Sequence, residues 1–366
     1  MNTSAPSLED RICGAILGAY IGDALALGPH WYYQLDELRA TYGPWITDYT
    51  EPQPGRYHAG LKAGQSGQAG FILDLLLQSL TACGGYDEAD FCRQLDSGLF
   101  PLLDGTPMNG PGGYTSQSIR EAWRKRIQEH KPWGQVAGPA DTTEAAERVL
   151  ALAVRYARQP AALARYVSSN TALTQRDTTV MAMTVAYASV LGSLTRGEPL
   201  DADTSGRLMA RVHDGSLPFH SVTSAGEDTP PPGPEATRHA GQFPSPDALL
   251  TVSCVARAAA DPGCQIDPAW KVSLVYGMPC AVYHQFPAAY YLAARFQGDV
   301  ESTLLHAVNG GGQNQARAML AGALSGAIGG LQAIPERFIA GLEHHETRLA
   351  LARTLARQAA AEPAEA

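Results

Sequence analysis

Charge is scarce in this chain, and nowhere does it gather a positive patch. Only 17% of the 366 residues are charged, the formal net charge is −9, and the run Arg124-Lys125-Arg126 is just three residues long. Nucleic acid and anionic membrane surfaces need a clustered cationic face, so neither is expected as a partner. Cysteine is thin as well. The six, Cys13, Cys83, Cys92, Cys254, Cys264 and Cys280, are scattered with no pair at two-residue spacing, which excludes a zinc knuckle or redox dithiol and points to reduced, mostly buried thiols. Met1 to Asp10 lacks a basic stretch followed by an apolar core, and no uninterrupted apolar run reaches about 18 residues. The expectation is a cytoplasmic protein. Alternating strand patterns are also nearly missing: Val272–Tyr276 comes nearest, and Gly277 and Pro279 bound it so closely that an extended loop is expected.

What the chain does have is helical periodicity and 45% hydrophobic residues, enough for a large core. Ile12, Ala15, Ile16, Ala19 and Tyr20 form one stripe, and Phe71, Leu75 and the leucines between them form a second helix. Asp141-Thr142-Thr143 offers caps for a helix ending near Pro160; Thr178-Thr179 opens a long one, and Ser245-Pro246-Asp247 another. Further helices are expected over 287–296, 300–308, 317–329 and 343–360. The fold class is therefore all-α, a single-domain multi-helix bundle: a tail over 1–10, a helical domain over 11–342, and a C-terminal helix with its tail over 343–366. Two irregular stretches interrupt it. Pro101 to Tyr114 is expected to border a pocket, the Pro-rich insertion at about 215–243 to be mobile, and the tail after Gln358 to fray.

Three polar clusters sit at helix ends or in glycine-rich turns. Small residues at 14, 18 and 22 let one helix backbone approach another, and Gly28-Pro29 then halts that helix and delivers His30, Trp31, Tyr32 and Tyr33 into a loop suited to a planar ligand. Gly64 to Gly70 exposes backbone amides at a helix start, which makes either an anion seat or a plain turn. Gly310-Gly311-Gly312-Gln313-Asn314-Gln315 places amides that are costly to bury unmatched at the start of another helix. Tyr114 in its Gly-Pro stretch, and Tyr276, His284 and Gln285, are further candidates for the same cavity. Glu343-His344-His345-Glu346 reads as a solvated helix face rather than a metal site.

In this order the clusters resemble the ADP-ribosylglycohydrolase family, from about Arg11 to Leu342. Gly22-Asp23-Ala24-Leu25-Ala26 is similar to its Gly-Asp-Ala-Leu-Gly motif, and the register puts His30 where many members have a glutamate. Gly67-Gln68-Ala69-Gly70 falls on its Thr-Asp-Asp-Thr motif, and Gly311 to Ala316 on Gly-Gly-Asp-x-Asp-Thr. Thr174-Gln175-Arg176-Asp177 is a weaker match. The resemblance implies an all-helical bundle whose aspartates hold paired divalent ions, usually magnesium. It also implies that Gln68, Ala69, Gln313 and Gln315 have taken the places of those aspartates, so that no metal site and no cofactor is expected.

The expected function is accordingly a metal-independent enzyme of this fold acting on a polar small molecule or an N-glycosidic, ADP-ribosyl-like substrate. Hydrolysis is the default, with lyase or cyclase chemistry left open; the alternative is a catalytically silent protein that binds an ADP-ribose-like ligand. His30 is the expected acid or base, with Asp23 or Asp177 orienting it or sharing the proton transfer. Trp31, Tyr32, Tyr33, Gln68, Tyr114, Asn309, Gln313, Asn314 and Gln315 are the expected substrate-binding residues.

Overall fold

The computed structural model describes residues 5–219 and 247–365. It is all-helical: two isolated bridges, Gly138 with Gln175 and Thr142 with Ala281, are the nearest approach to a sheet among the described residues. The helices that build the core and the site are α1 (Leu8–Ala26), α2 (Gln68–Cys83), α3 (Glu144–Arg155), α4 (Pro160–Ala172), α5 (Thr178–Thr195), α6 (Val282–Phe296), α7 (Val300–Asn309), α8 (Asn314–Gly329) and α9 (His345–Ala361).

Two of them, α1 and α8, form the centre. Both are buried almost all round, so neither shows an amphipathic stripe. They run antiparallel with backbone against backbone. A Cβ on Gly14, Gly18 or Gly22 would overlap the carbonyl of Gly326, Gly322 or Ala318 in turn, and Gly322 and Gly326 are barred from a side chain by the carbonyls of Gly18 and Gly14. Around this pair pack α6, α7 and α9, with α3 and α5 beyond. By length and composition α5 is apolar enough to cross a membrane, but most of it is buried inside the bundle, with Val180, Val185, Val190, Leu191 and Leu194 in the core.

Several boundaries differ from the sequence reading. Val272–Tyr276 is a short helix, not an extended loop; Val272 and Ser273 bury one side of it, and Gly277 ends it at φ +116°. The helix expected from Pro287 starts at Val282, because burying Gln285 and Phe286 outweighs the hydrogen bond that an internal proline forfeits. Helix α8 starts at Asn314, three residues before Arg317, and so takes the amides into its first turn. The tail after Gln358 is tied down: Gln358 Nε2 donates to Thr81 O at 3.0 Å, Glu362 pairs with the buried Arg155, and Glu365 N donates to Arg158 O at 3.0 Å. Most of the insertion expected to be mobile, 220–243, and the cap Ser245-Pro246 lie outside the described residues. Leu217 and Phe219, at its start, are buried.

The glycine seam makes a direct prediction. Gly18→Ala and Gly322→Ala each force the two central backbones apart and are expected to cost about 1–3 kcal/mol by overpacking. Gly206→Ala, in a helix interior with open space around it, should instead be neutral or stabilise by about 0.5–1 kcal/mol. Thermal denaturation of the three variants checks this; equal melting temperatures for Gly18→Ala and Gly206→Ala would refute the seam.

Candidate functional site

The antiparallel pairing sets the C-terminal end of α1 beside the N-terminal end of α8. The loops that leave those ends then lock together. Trp31 N donates to Gly312 O at 3.0 Å and Gly312 N returns to Tyr32 O at 2.8 Å, while Gln313 N reaches Met278 O at 2.9 Å. Gly311 and Gly312 sit at φ +64° and +61° with neighbours too near for a Cβ, so this turn requires glycine.

Asp23, on the last turn of α1, is completely buried. It accepts from Gly67 N at 2.9 Å and from Gln315 Nε2 at 2.5 Å. Burial pushes its carboxyl up, against the pull of the Gln315 bond and the nearby Arg348 guanidinium. The backbone amide that looked like an anion seat is therefore taken by the protein's own carboxylate. Gln68, the first residue of α2, uses both ends of its amide: Nε2 donates to Thr115 Oγ1 and Oε1 accepts from Ser116 N, each at 3.0 Å.

His30 is also buried, between His58 and Gln313. Its Nδ1 is 2.7 Å from His58 Nε2, its Nε2 is 2.6 Å from Gln313 Oε1, and His58 Nδ1 is 2.5 Å from Gly112 O. The Gly112 carbonyl only accepts, so His58 donates from Nδ1 and accepts at Nε2, and His30 donates from its own Nδ1. Two neutral rings supply those two protons; donation from His30 Nε2 to the Gln313 oxygen would need a third. Burial drives His30 well below the ordinary imidazole range, with His58 adding to the effect, and pushes His58 down to about 4. The third proton is therefore absent. The lone pair on His30 Nε2 then calls for the Gln313 NH2, an amide orientation assigned from this proton count, with the carbonyl toward the cavity.

That cavity, about 120 Å³, is lined by His58, Gln68, Gln313 and Gln315 on the floor, by Trp31, Tyr114 and Cys280 at the neck, and by Ser116, Arg120, Thr142, Glu144, Glu147 and Arg148 on one wall. An open aromatic vestibule of about 640 Å³ lies outside it and shares Trp31, Tyr114 and Cys280, with Tyr33, Arg56, Tyr57 and Met108 around them. Trp31 stacks on His30 at 3.9 Å between ring centroids and meets the edge of Tyr114 at 4.4 Å. Burial holds the Cys280 thiol up at about 11, so it stays protonated.

The wall was missed in the sequence. Glu144, Glu147 and Arg148 share one face of α3 near its start, a region that had offered only helix caps. Glu144 takes hydrogen bonds from Thr142 and from Ser118 Oγ at 3.1 Å, and Glu147 takes one from Thr143 Oγ1 at 2.6 Å. Both carboxyls are raised, chiefly by burial. Glu147 also feels the Glu144 charge and reaches about 8, so it is protonated at neutral pH.

Other expected residues are elsewhere. Asp177 caps α5, accepting from Thr179 N and Val180 N at 2.9 Å each, and is not on the cavity. Asn309 clamps Ile46 through N and O, and Asn314 Nδ2 holds Pro29 O and Val308 O; both are structural ties. Tyr32 is buried under Arg56, 3.9 Å from the ring centroid. His284 and Gln285 bond Tyr276 O and Pro279 O, shaping the loop that carries Cys280. His30 itself stands behind the lining, where it orients His58 and Gln313.

The paired dications implied by the resemblance do not fit these donors. The Gln68 oxygen is taken by Ser116 N, Asp23 faces two donors already, and Gln313 and Gln315 can offer only uncharged amide oxygens, which do not neutralise paired dications. Among the described residues no three His, Cys, Asp or Glu side chains converge as metal ligands.

Nitrogen-15 NMR of the histidine side chains tests the proton count. Both rings should be neutral Nδ1–H tautomers at pH 7, with His58 unchanged down to about pH 5; a protonated His30 Nε2 at pH 7 would refute the assignment.

Comparison with known proteins agrees with the helical architecture. A solved structure described as "ADP-ribosylglycohydrolase-related protein complex" superposes with a TM-score of 0.61 at 20% identity, covering 96% of this chain and 99% of that one. An uncharacterized protein of Archaeoglobus fulgidus is 23% identical over 339 residues, 93% of each chain. The model of the ADP-ribosylglycohydrolase family matches residues 4–364, and the chain belongs to that family.

Proposed function

We propose that this member of the family is a metal-independent enzyme that cleaves an N-glycosidic bond in a polar small molecule, with Glu147 as general acid and Glu144 as general base. On this reading Gln68, Ala69, Gln313 and Gln315 replace the family's metal-holding aspartates, and the amide floor holds substrate hydroxyls where ions would otherwise stand. The observation that carries the proposal is the pair of buried, hydroxyl-bonded carboxyls one helical turn apart on one cavity wall, both with raised proton affinity.

The histidines cannot take that role. His58 spends one ring nitrogen on Gly112 O and the other on His30, and His30 does not line the cavity. Glu147, protonated at neutral pH, can hand its proton to a departing nitrogen as the bond from the anomeric carbon breaks. Glu144, whose anion the Thr142 and Ser118 hydroxyls favour against the effect of burial, can take a proton from water as the water oxygen bonds that carbon. Trp31 and Tyr114 at the neck suit a planar group of the substrate standing in the vestibule. Asp23 acts at one remove, through Gly67 and Gln315.

Turnover of ADP-ribosyl compounds and nucleosides, measured with and without chelator, tests the reading. Rates should be equal in both. Glu147→Gln should lower kcat by about 10²–10⁴-fold, and the wild-type rate should fall as pH rises through about 8. Loss of activity in chelator with rescue by magnesium would overturn metal independence; tight binding of these compounds with no turnover would favour the ligand-binding alternative.

The same carboxyl affects stability. Its folded pKa lies above the ordinary glutamate value of 4.5, so its contribution is full below about pH 4.5 and is lost as pH climbs to about 8. Glu147→Gln should therefore melt near the wild-type temperature at pH 4.5 and above it at pH 8.5; a variant no more stable than wild type at pH 8.5 would contradict the buried, protonated acid.

A further inference from the structure

One wall of the cavity carries two polar groups that the protein leaves unsatisfied. Arg148 is 1% exposed, and its contacts are all neutral: Nε to Asn170 Oδ1 at 2.7 Å, and Nη2 to Asn170 O at 2.8 Å and Thr174 Oγ1 at 2.9 Å. Its Nη1 has no hydrogen-bond partner. Ser116, on the same cavity, keeps a buried Oγ without a partner. Glu144 and Glu147 act on this guanidinium only through space, without an ion pair. A buried guanidinium left one acceptor short is a poor arrangement for a protein alone and a good one for a protein that waits for an anion.

The orphaned nitrogen is not sufficient by itself. Arg317 Nη1 is also unpartnered, but that guanidinium closes the carbonyls of Ala307 and Gly311 at the end of α7 and lies off the cavity. Arg148 differs in facing a space that a ligand can enter and in sharing it with a second unsatisfied group.

Charge and size point the same way. Arg120 and Arg148 line the cavity against Glu144 and Glu147, and with Glu147 protonated the guanidiniums outnumber the carboxylates; His58 is neutral there, and Tyr114 and Cys280 keep their protons. A singly charged anion is the smallest partner that answers that excess. The cavity, about 120 Å³, has room for a carboxylate and the atoms attached to it.

We propose that the cavity receives a carboxylate of the substrate, one oxygen of which is bound by Arg148 Nη1 and Ser116 Oγ. The substrate class is then an N-glycoside whose leaving amine carries a carboxyl group, with Arg148 anchoring the acid and Glu147, the residue before it, protonating the nitrogen. This substrate assignment rests on the catalytic reading above, but its test does not use turnover.

Acetate and glycolate are titrated into the full-length protein at constant ionic strength, alongside acetamide, glycolamide and inorganic phosphate, with the melting temperature as readout. The carboxylates should raise it saturably and the matched amides should not. Ser116→Ala, which removes a hydroxyl that holds nothing else in the fold, should weaken carboxylate binding by threefold or more, and Arg148→Gln should abolish it. Equal shifts from acid and amide, tighter binding of phosphate than of acetate, or unchanged binding in Ser116→Ala would overturn the proposal. Carboxylate binding without glycosidic turnover would leave this site standing and remove the reaction; turnover without carboxylate preference would do the reverse.

Discussion

Everything at the site depends on the contact between two backbones. Gly14, Gly18 and Gly22 of α1 meet Gly326, Gly322 and Ala318 of α8 with no side chain between them, and that sets the register of the two helices. A slip of one turn would move one end past the other by about 5.4 Å. Asp23 would then leave Gln315, and His30 would leave Gln313. Residues nearly three hundred positions apart are brought within hydrogen-bond reach because five glycines and an alanine leave nothing in the way.

From that register follows a floor in which nearly every polar group is spoken for. Asp23, Gln68, Gln315 and the His30–His58 pair each bond a named partner, and in the low dielectric of the interior such a network is rigid. Rigidity here is useful because amides have no charge with which to pull a substrate into place. They can only present donors and acceptors in a fixed pattern, as Gln313 does when His30 turns its carbonyl inward. The unsatisfied groups lie on the opposite wall, which comes from α3 and the turn at Ser116.

How much of this could be read from the sequence divides along physical lines. The bundle was legible because the core helices repeat apolar residues at helical spacing, and the seam because small residues recur every four positions at 14, 18 and 22. The amide loops were legible because buried glutamines beside glycines are unusual. Val272–Tyr276 misled because five residues are too few to separate the two periods, and Pro287 because tertiary burial overrode a local breaker. His58 gave no signal, since its place depends on a left-handed turn at φ +66° and on Gly112, fifty-four residues away. Glu144, Glu147 and Arg148 were hidden for another reason: on a helix next to Thr142-Thr143, charged residues look like an ordinary exposed first turn. Only the packing of Ser116 and the Cys280 loop against them turns that face inward.

The placement of those three residues on one helical turn gives two like carboxyls different surroundings. Glu144 is the first residue of α3, where the helix N-terminus and its free amides favour an anion, and two hydroxyls reinforce the preference. Glu147 sits one turn deeper. It has a single hydroxyl for a partner, and the charge on Glu144 is close enough to oppose its own ionisation. Burial and the charge on Glu144 together favour the proton on Glu147, and a rigid helix keeps both in place. Arg148, next along the chain, faces the same space, and its charge tempers the rise at Glu147 without cancelling it. A carboxylate bound at Arg148 would screen that influence and raise the proton affinity of Glu147 further, so that occupancy of the anion site itself would hold the acid in its protonated form.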